Sequence, residues 1–150
     1  RPSHVAAGAL EYRGLVGGGC AAGRMARGVK IFFDGGCRPL PVGMELAVVI
    51  GGQSHIRRDL GPGTSMDAEW LALIEAMRLA YARGLADPVL LGDAAAVIAQ
   101  ANGAVRCPAA CIRHMEAFRL LPRPPGRIRI RYVKRTQNLA GIALAKLHDR

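Results

Sequence analysis

The 150-residue sequence has no uninterrupted apolar run of about 18 residues, so it offers no candidate for a membrane-spanning helix. Its first residues lack the basic start, apolar block and small-residue cleavage site of a signal peptide, which leaves cytoplasmic residence as the default expectation. Lysine is nearly absent: of 21 basic residues, only Lys30, Lys134 and Lys146 are lysines. Acids are also scarce, at 11, and the formal net charge is +10. A surface so short of acid favours polyanionic partners, nucleic acid first, while the missing apolar span leaves no membrane partner expected. Arginine in place of lysine is equally what a GC-rich genome encodes, so charge alone does not decide. The four cysteines (Cys20, Cys37, Cys107, Cys111) follow no secreted disulfide spacing and are expected as free thiols. Nothing in the sequence sets an oligomeric state.

What is present suits one globular domain. Hydrophobic residues make up 51% and charged residues 21%, and a chain of about 150 residues can bury roughly two-thirds of its unfolded surface. Residues 1–28, rich in Gly and Ala, read as a flexible leader, and residues 29–150 as the domain. "VKIFFD" predicts a buried strand over 29–34 that ends on Asp34 and turns at Gly35-Gly36. "MELAVVI" predicts a second strand at 44–50 and, after the Gly51-Gly52 turn, "QSHIRRD" a third at 53–59. Short glycine turns between them predict an antiparallel three-strand meander. Thr64 and Asp67 form a Thr-x-x-Asp capping box that opens a helix running to Arg83 and closed by Gly84. A strand at 88–93, helices at 94–101 and 108–121, a strand at 127–133 and a helix from Leu139, capped by Asn138, complete the order. The expected fold is α/β, a five-stranded mixed sheet with helices packed on it.

Three acids interrupt this apolar pattern. Winding the 65–83 helix at about 100° per residue puts Glu69 among Ala72, Leu73, Ala76 and Ala80, the sheet-facing side, while Asp67, Glu75 and Arg78 lie opposite. A carboxylate on a buried face is costly unless it is paired, protonated or bound to a cation. Asp34 and Asp93 each follow an apolar strand, where open α/β sheets keep their ligands. A turn or a helix cap explains one such Asp. Two of them with an inward Glu predict three carboxylates at one edge of the sheet, a setting for hard cations such as Mg²⁺ or Mn²⁺.

The motifs resemble those of the type 1 ribonuclease H family. "FFDGGC" is similar to that family's first-strand D-G motif, and "GTSMDAEWLALIEAM" to its N-x-x-A-E-x-x-A-L helix. "LLGDAAAVIAQANG" resembles its D-S-x-x-V-x-x-Q-x-N-G segment, and "VKRTQNLAGIALAKL" its closing V-x-R-x-x-N-x-x-A-D-x-L-A segment. The resemblance runs from Val29 to the C-terminus and implies a five-stranded mixed sheet of three antiparallel and two parallel strands. It implies that Asp34, Glu69 and Asp93 are catalytic and hold two divalent metals, Mg²⁺ or Mn²⁺, around a scissile phosphate. It also implies an endonuclease that hydrolyses the RNA strand of RNA–DNA hybrids, which are recognised through phosphates, duplex shape and 2′-OH groups. Arg38, Lys134, Arg135 and Asn138 are the expected nucleic-acid contacts.

One departure matters. The family's fourth acid stands four positions after the Asn, and here that position is Ile142. Asp149 lies seven residues further on, about 10 Å along a helix axis, too far to replace it. His148 is likewise distant and is expected as a solvated C-terminal residue. Loss of the fourth acid implies a weakened second metal and weakened catalysis, with a catalytically silent nucleic-acid-binding module as the alternative. Separately, Cys107, Cys111 and His114 share a helical face at a spacing that could hold zinc, although no fourth ligand is nearby and buried cysteines are usually packing residues.

Overall fold

The computed structural model describes residues 26–148. Strand β1 (Lys30–Cys37), β2 (Met44–Ile50) and β3 (Gln53–Arg57) are followed by helix α1 (Ser65–Ala82). Then come β4 (Val89–Gly92), α2 (Ala95–Ala101), a 3₁₀ turn at Ala109–Cys111 running into α3 (Ile112–Leu120), β5 (Arg129–Tyr132), a second 3₁₀ turn at Arg135–Gln137 and α4 (Leu139–Leu147). The sheet order is β3-β2-β1-β4-β5. β1, β2 and β3 pair antiparallel, while β1–β4 and β4–β5 are parallel. This is the expected five-stranded mixed sheet. No described helix is long and apolar enough to cross a membrane.

Local chemistry accounts for the elements. β2 is buried at every residue because it is sandwiched on both faces, whereas the edge strand β3 stays largely exposed. α1 begins at the capping box, with Asp67 N–H donating to Thr64 Oγ1 and Thr64 N–H to Asp67 Oδ2, each at 3.0 Å. Its buried stripe, Ala72, Leu73, Ala76 and Ala80, is the face that the helical winding picks out. That stripe joins Ile31, Phe33, Leu90 and Ile130 of the sheet with Val97, Met115 and Phe118 of α2 and α3 in the main core. α4 covers the other face of the sheet, packing Ala140 and Leu144 on Ala47 and Val49.

Three expectations change. β1 does not stop at Asp34. Its pairing with β2 continues to Cys37↔Met44, so Gly35 and Gly36 lie within the strand. The need for glycine at 35 comes from packing: a side chain there would collide with the carbonyl of Ala68 on α1. The helix expected over 108–121 is split, because the chain first makes a 3₁₀ turn and α3 starts only at Ile112. Residues 1–25 of the expected leader lie outside the described residues, and residues 26–28 join the fold. Ala86 N–H donates to the Ala26 carbonyl at 2.9 Å, and Gly28 N–H to the Ala86 carbonyl at 3.1 Å.

Candidate metal centre

The site forms where the parallel pairing of β1 with β4 ends. Their pairing closes at Phe32↔Leu91, so Asp34 projects two residues beyond it and Asp93 follows Gly92 directly. Gly92 is required because any side chain there would run into the Phe33 ring. Glu69 comes from the first turns of α1, and the close seat of α1 on Gly35 lets Glu69 Oε1 accept the Gly35 N–H at 3.0 Å. Asp34, Glu69 and Asp93 are all half-buried, with carboxylate oxygens within 4.8 Å of one another.

Crowding of this kind shifts titration. Burial pushes Asp34 up to about 7, with the nearby Asp93 charge adding to the rise and Arg135 and the Gly35 N–H opposing it. Burial likewise pushes Glu69 up to about 8, helped by Asp34 and, less, by Asp93. Burial and mutual repulsion therefore disfavour full ionisation of Asp34 and Glu69 when no cation is bound. An all-oxygen donor set of three carboxylates suits a divalent hard cation. It is the one group of three or more metal-capable side chains among the described residues.

Asn138 does not face solvent, as a nucleic-acid contact would require. It is fully buried. Its Nδ2 donates to the Phe33 carbonyl at 3.0 Å and to Asp93 Oδ2 at 3.2 Å, while its Oδ1 caps α4 by accepting from Ala140 N at 3.1 Å. One amide therefore ties β1, the third acid and the last helix together. Arg38 and Arg135 are exposed and line an open pocket of about 400 Å³ together with Asp34, Asp93, Gly141 and Ile142. Lys134 is exposed just before the second 3₁₀ turn and outside this pocket's lining. Ile142 is 40% exposed and presents an apolar group to the pocket that holds the acids.

One expectation fails here, and one weighed alternative is settled. His148 is not a freely solvated end residue: its Nε2 lies 2.6 Å from Oε2 of the buried Glu45. Asp149 lies outside the described residues. The zinc-like spacing makes no site, in line with the reading of these cysteines as packing residues. His114 Nε2 lies 2.8 Å from Asp67 Oδ1 and its ring stacks on Trp70, while Cys111 Sγ contacts Met66 Sδ at 3.3 Å. Trp70 itself is a core residue whose Nε1–H donates to Gln100 Oε1 at 3.0 Å. Sequence reasoning passed over Glu45, although an acid inside the apolar strand "MELAVVI" was a visible signal.

The sheet order, the helices on its two faces and the acids just beyond the β1–β4 pairing define a ribonuclease H-like domain. The chain belongs to the reverse transcriptase-like family, whose pattern matches residues 48–148, and is ribonuclease HI-like. RNase H1 from the halophilic archaeon Halobacterium salinarum NRC-1 is 28% identical and superposes with a TM-score of 0.67, covering 83% of this chain and 100% of that one. The N-terminal RNase H domain of Rv2228c from Mycobacterium tuberculosis shares the fold at 22% identity and a TM-score of 0.66, covering 82% of this chain and 99% of that one. LC11-RNase H1, solved in complex with an RNA/DNA hybrid, does so at 23% identity and a TM-score of 0.56, covering 81% of this chain and 99% of that one. No curated protein sequence matches the chain.

Proposed function

We propose that the protein is a metal-dependent endonuclease that hydrolyses the RNA strand of RNA–DNA hybrids, weakened by Ile142 at the position of the family's fourth acid. The observation that carries this reading is the convergence of Asp34, Glu69 and Asp93 within 4.8 Å. On this reading the three carboxylates hold Mg²⁺ or Mn²⁺, with the second ion weakly held. Divalent ions in such a site supply positive charge at the scissile phosphate and make water a better nucleophile.

The chain's own residues do the rest. The Gly35 N–H fixes one oxygen of Glu69, and Asn138 fixes one oxygen of Asp93, so the ligands are set before substrate arrives. Arg135 and Arg38 flank the acids in the same pocket and supply phosphate contacts, with Lys134 and the exposed Arg131 of β5 extending the basic surface. The net charge of +10 fits a polyanionic partner.

Ile142 favours a second reading, a ribonuclease H-like module that binds nucleic acid without cutting it. Incubation of the protein with an end-labelled RNA–DNA hybrid in Mg²⁺ and in Mn²⁺, beside double-stranded RNA, separates the two. Internal cuts confined to the hybrid RNA strand support the nuclease. Tight binding with intact RNA in both metals supports the silent module.

A further inference from the structure

Glu45 is 1% exposed, yet it is neither in the main core nor among the three clustered acids. It stands opposite Gly36 in the β1–β2 ladder, on the sheet face that carries Asp34. Because Gly36 has no side chain, nothing covers the carboxylate from that strand: a Cβ there would lie 4.0 Å from Glu45 Oε2. Three cationic or ring-nitrogen groups from three parts of the chain converge on it. Arg58, just after β3, donates through Nε to Oε1 at 3.1 Å. His148, at the end of α4, places Nε2 at 2.6 Å from Oε2, and Arg38, from the β1–β2 connection, turns its Nε edge to the same oxygen at 3.6 Å.

Stability does not explain this residue. The neighbouring positions on its face of β2, Ala47 and Val49, are apolar and buried, and replacing a buried ion pair by apolar side chains is often neutral or stabilising. Placement does explain it. Glu45 and Arg38 line the same pocket as Asp34 and Asp93. The pocket lining carries both signs, with Arg135 near the acids and Arg38 beside Glu45. Glu45 stands opposite Gly36, two residues or about 7 Å along the extended strand from Asp34, so a guanidinium beside it reaches a neighbouring part of the same ligand.

We propose that Glu45 is a positioning residue: it holds the Nε edge of Arg38 so that the rest of the guanidinium grips a backbone phosphate one or two nucleotides from the scissile one. Through His148 it also pins the end of α4, whose Gly141, Ile142 and Ala145 form the facing wall of the pocket. Glu45 does not touch the substrate. This inference rests on the proposed action on nucleic acid and adds a second phosphate subsite to it.

The test is equilibrium binding of a fluorescent RNA–DNA hybrid in EDTA, over a range of salt, for wild type, Glu45→Gln, Arg38→Ala and the double variant. Each single change should weaken binding about fivefold or more and lower the salt slope by about one, the loss of one phosphate contact. The double variant should bind no worse than Arg38→Ala. A purely structural role for Glu45 would leave the salt slope at the wild-type value, and additive losses would show that Glu45 does not act through Arg38; either overturns the proposal. If Glu45→Gln does not fold, the Arg38 Nε–H resonance of the wild-type protein decides. Protection from solvent exchange supports the clamp, and exchange at the rate of a free guanidinium overturns it. Wild-type protein with no affinity for the hybrid overturns the proposed function and the clamp together, whereas normal wild-type binding with additive variants overturns the clamp alone.

Discussion

Glu69 accepts the backbone N–H of Gly35 at 3.0 Å, one residue beyond Asp34. The helix acid is thereby held by the strand that carries the first acid, and its position depends on how closely α1 can approach β1. That approach is possible because position 35 has no side chain, since a Cβ would collide with the Ala68 carbonyl.

Gly35→Ala should therefore act on both fold and site. Overpacking a close contact costs about 1–3 kcal/mol, and backbone on both sides leaves little room to yield. Urea unfolding should show a loss at the top of that range. Cleavage should also be lost under conditions where circular dichroism still reports a folded protein. Activity equal to wild type would show that the seat of α1 on Gly35 does not set Glu69.

Cation binding and pH should be coupled. Burial pushes Asp34 up to about 7 and Glu69 up to about 8, above their unfolded values. The folded state thus binds more protons than the unfolded state in the window from about pH 4 to pH 8, and stability falls as pH rises through it. Without divalent ions, Tm should drop from pH 5 to pH 8, and Glu69→Gln should flatten the drop. Mn²⁺ or Mg²⁺ should raise Tm more at pH 8 than at pH 5, because it takes the place of protons on the carboxylates. An equal metal effect at both pH values would place cation binding elsewhere.

Asp67 should behave in the opposite sense. The Thr64 N–H and His114 hold its carboxyl down to about 2, below the unfolded value. Its contribution is present at neutral pH and is lost as pH falls from about 4 towards 2. Asp67→Asn should lower stability at pH 7 by about 1 kcal/mol, the usual scale of a helix-end capping interaction, and make the acid limb of the stability curve shallower. Calorimetry across pH 2–7 measures both.

Asn138→Ala should cost more than a cap. It removes the Ala140 capping bond, about 1 kcal/mol, and leaves the Phe33 carbonyl without this donor, about 1–3 kcal/mol if it stays buried and unpaired. It also frees Asp93. Both Tm and kcat should fall, whereas loss of a mere phosphate contact would raise KM and spare Tm.

Ile142→Asp is the direct test of the fourth-acid position. Ile142 is exposed to the pocket holding Asp34 and Asp93, and beside it a methyl added at Gly141 would stand 3.4 Å from Asp34 Oδ2. The wild-type protein should cleave slowly in Mg²⁺ and faster in Mn²⁺, which binds most ligands more tightly. The aspartate should raise the Mg²⁺ rate by about tenfold or more, since each factor of ten needs only about 1.4 kcal/mol of transition-state stabilisation. Full Mg²⁺ activity unchanged by the substitution would mean that another group completes the site.

Much of the fold and of the acid cluster is legible in the order of residues along the chain. The succession of strands follows from short apolar runs broken by glycine, and Glu69 from helical winding, because both signals are local and periodic. The Gly35-Gly36 pair misleads for the same reason: a turn and a close helix approach ask for the same residue, and only the position of Ala68 tells them apart. Asn138 is legible as a cap, since Ala140 is two residues away, but not as the donor to Phe33, which lies 105 residues away. Glu45 stands out as an acid in an apolar strand, yet Arg38, Arg58 and His148 reach it from three separate segments that no local pattern links. Contacts that depend on tertiary placement leave no periodic trace.

The amide of Asn138 also sets an order of events on the ribosome. Asp34, Glu69 and Asp93 have all been synthesised long before residue 138, but the group that joins the Phe33 carbonyl to the Asp93 carboxylate arrives with the last helix. A nascent chain halted before that point carries every acid and lacks the tie that holds Asp93 to β1. Vectorial synthesis thus makes the link between Asp93 and β1 the last of these ties to close, once α4 docks on the sheet.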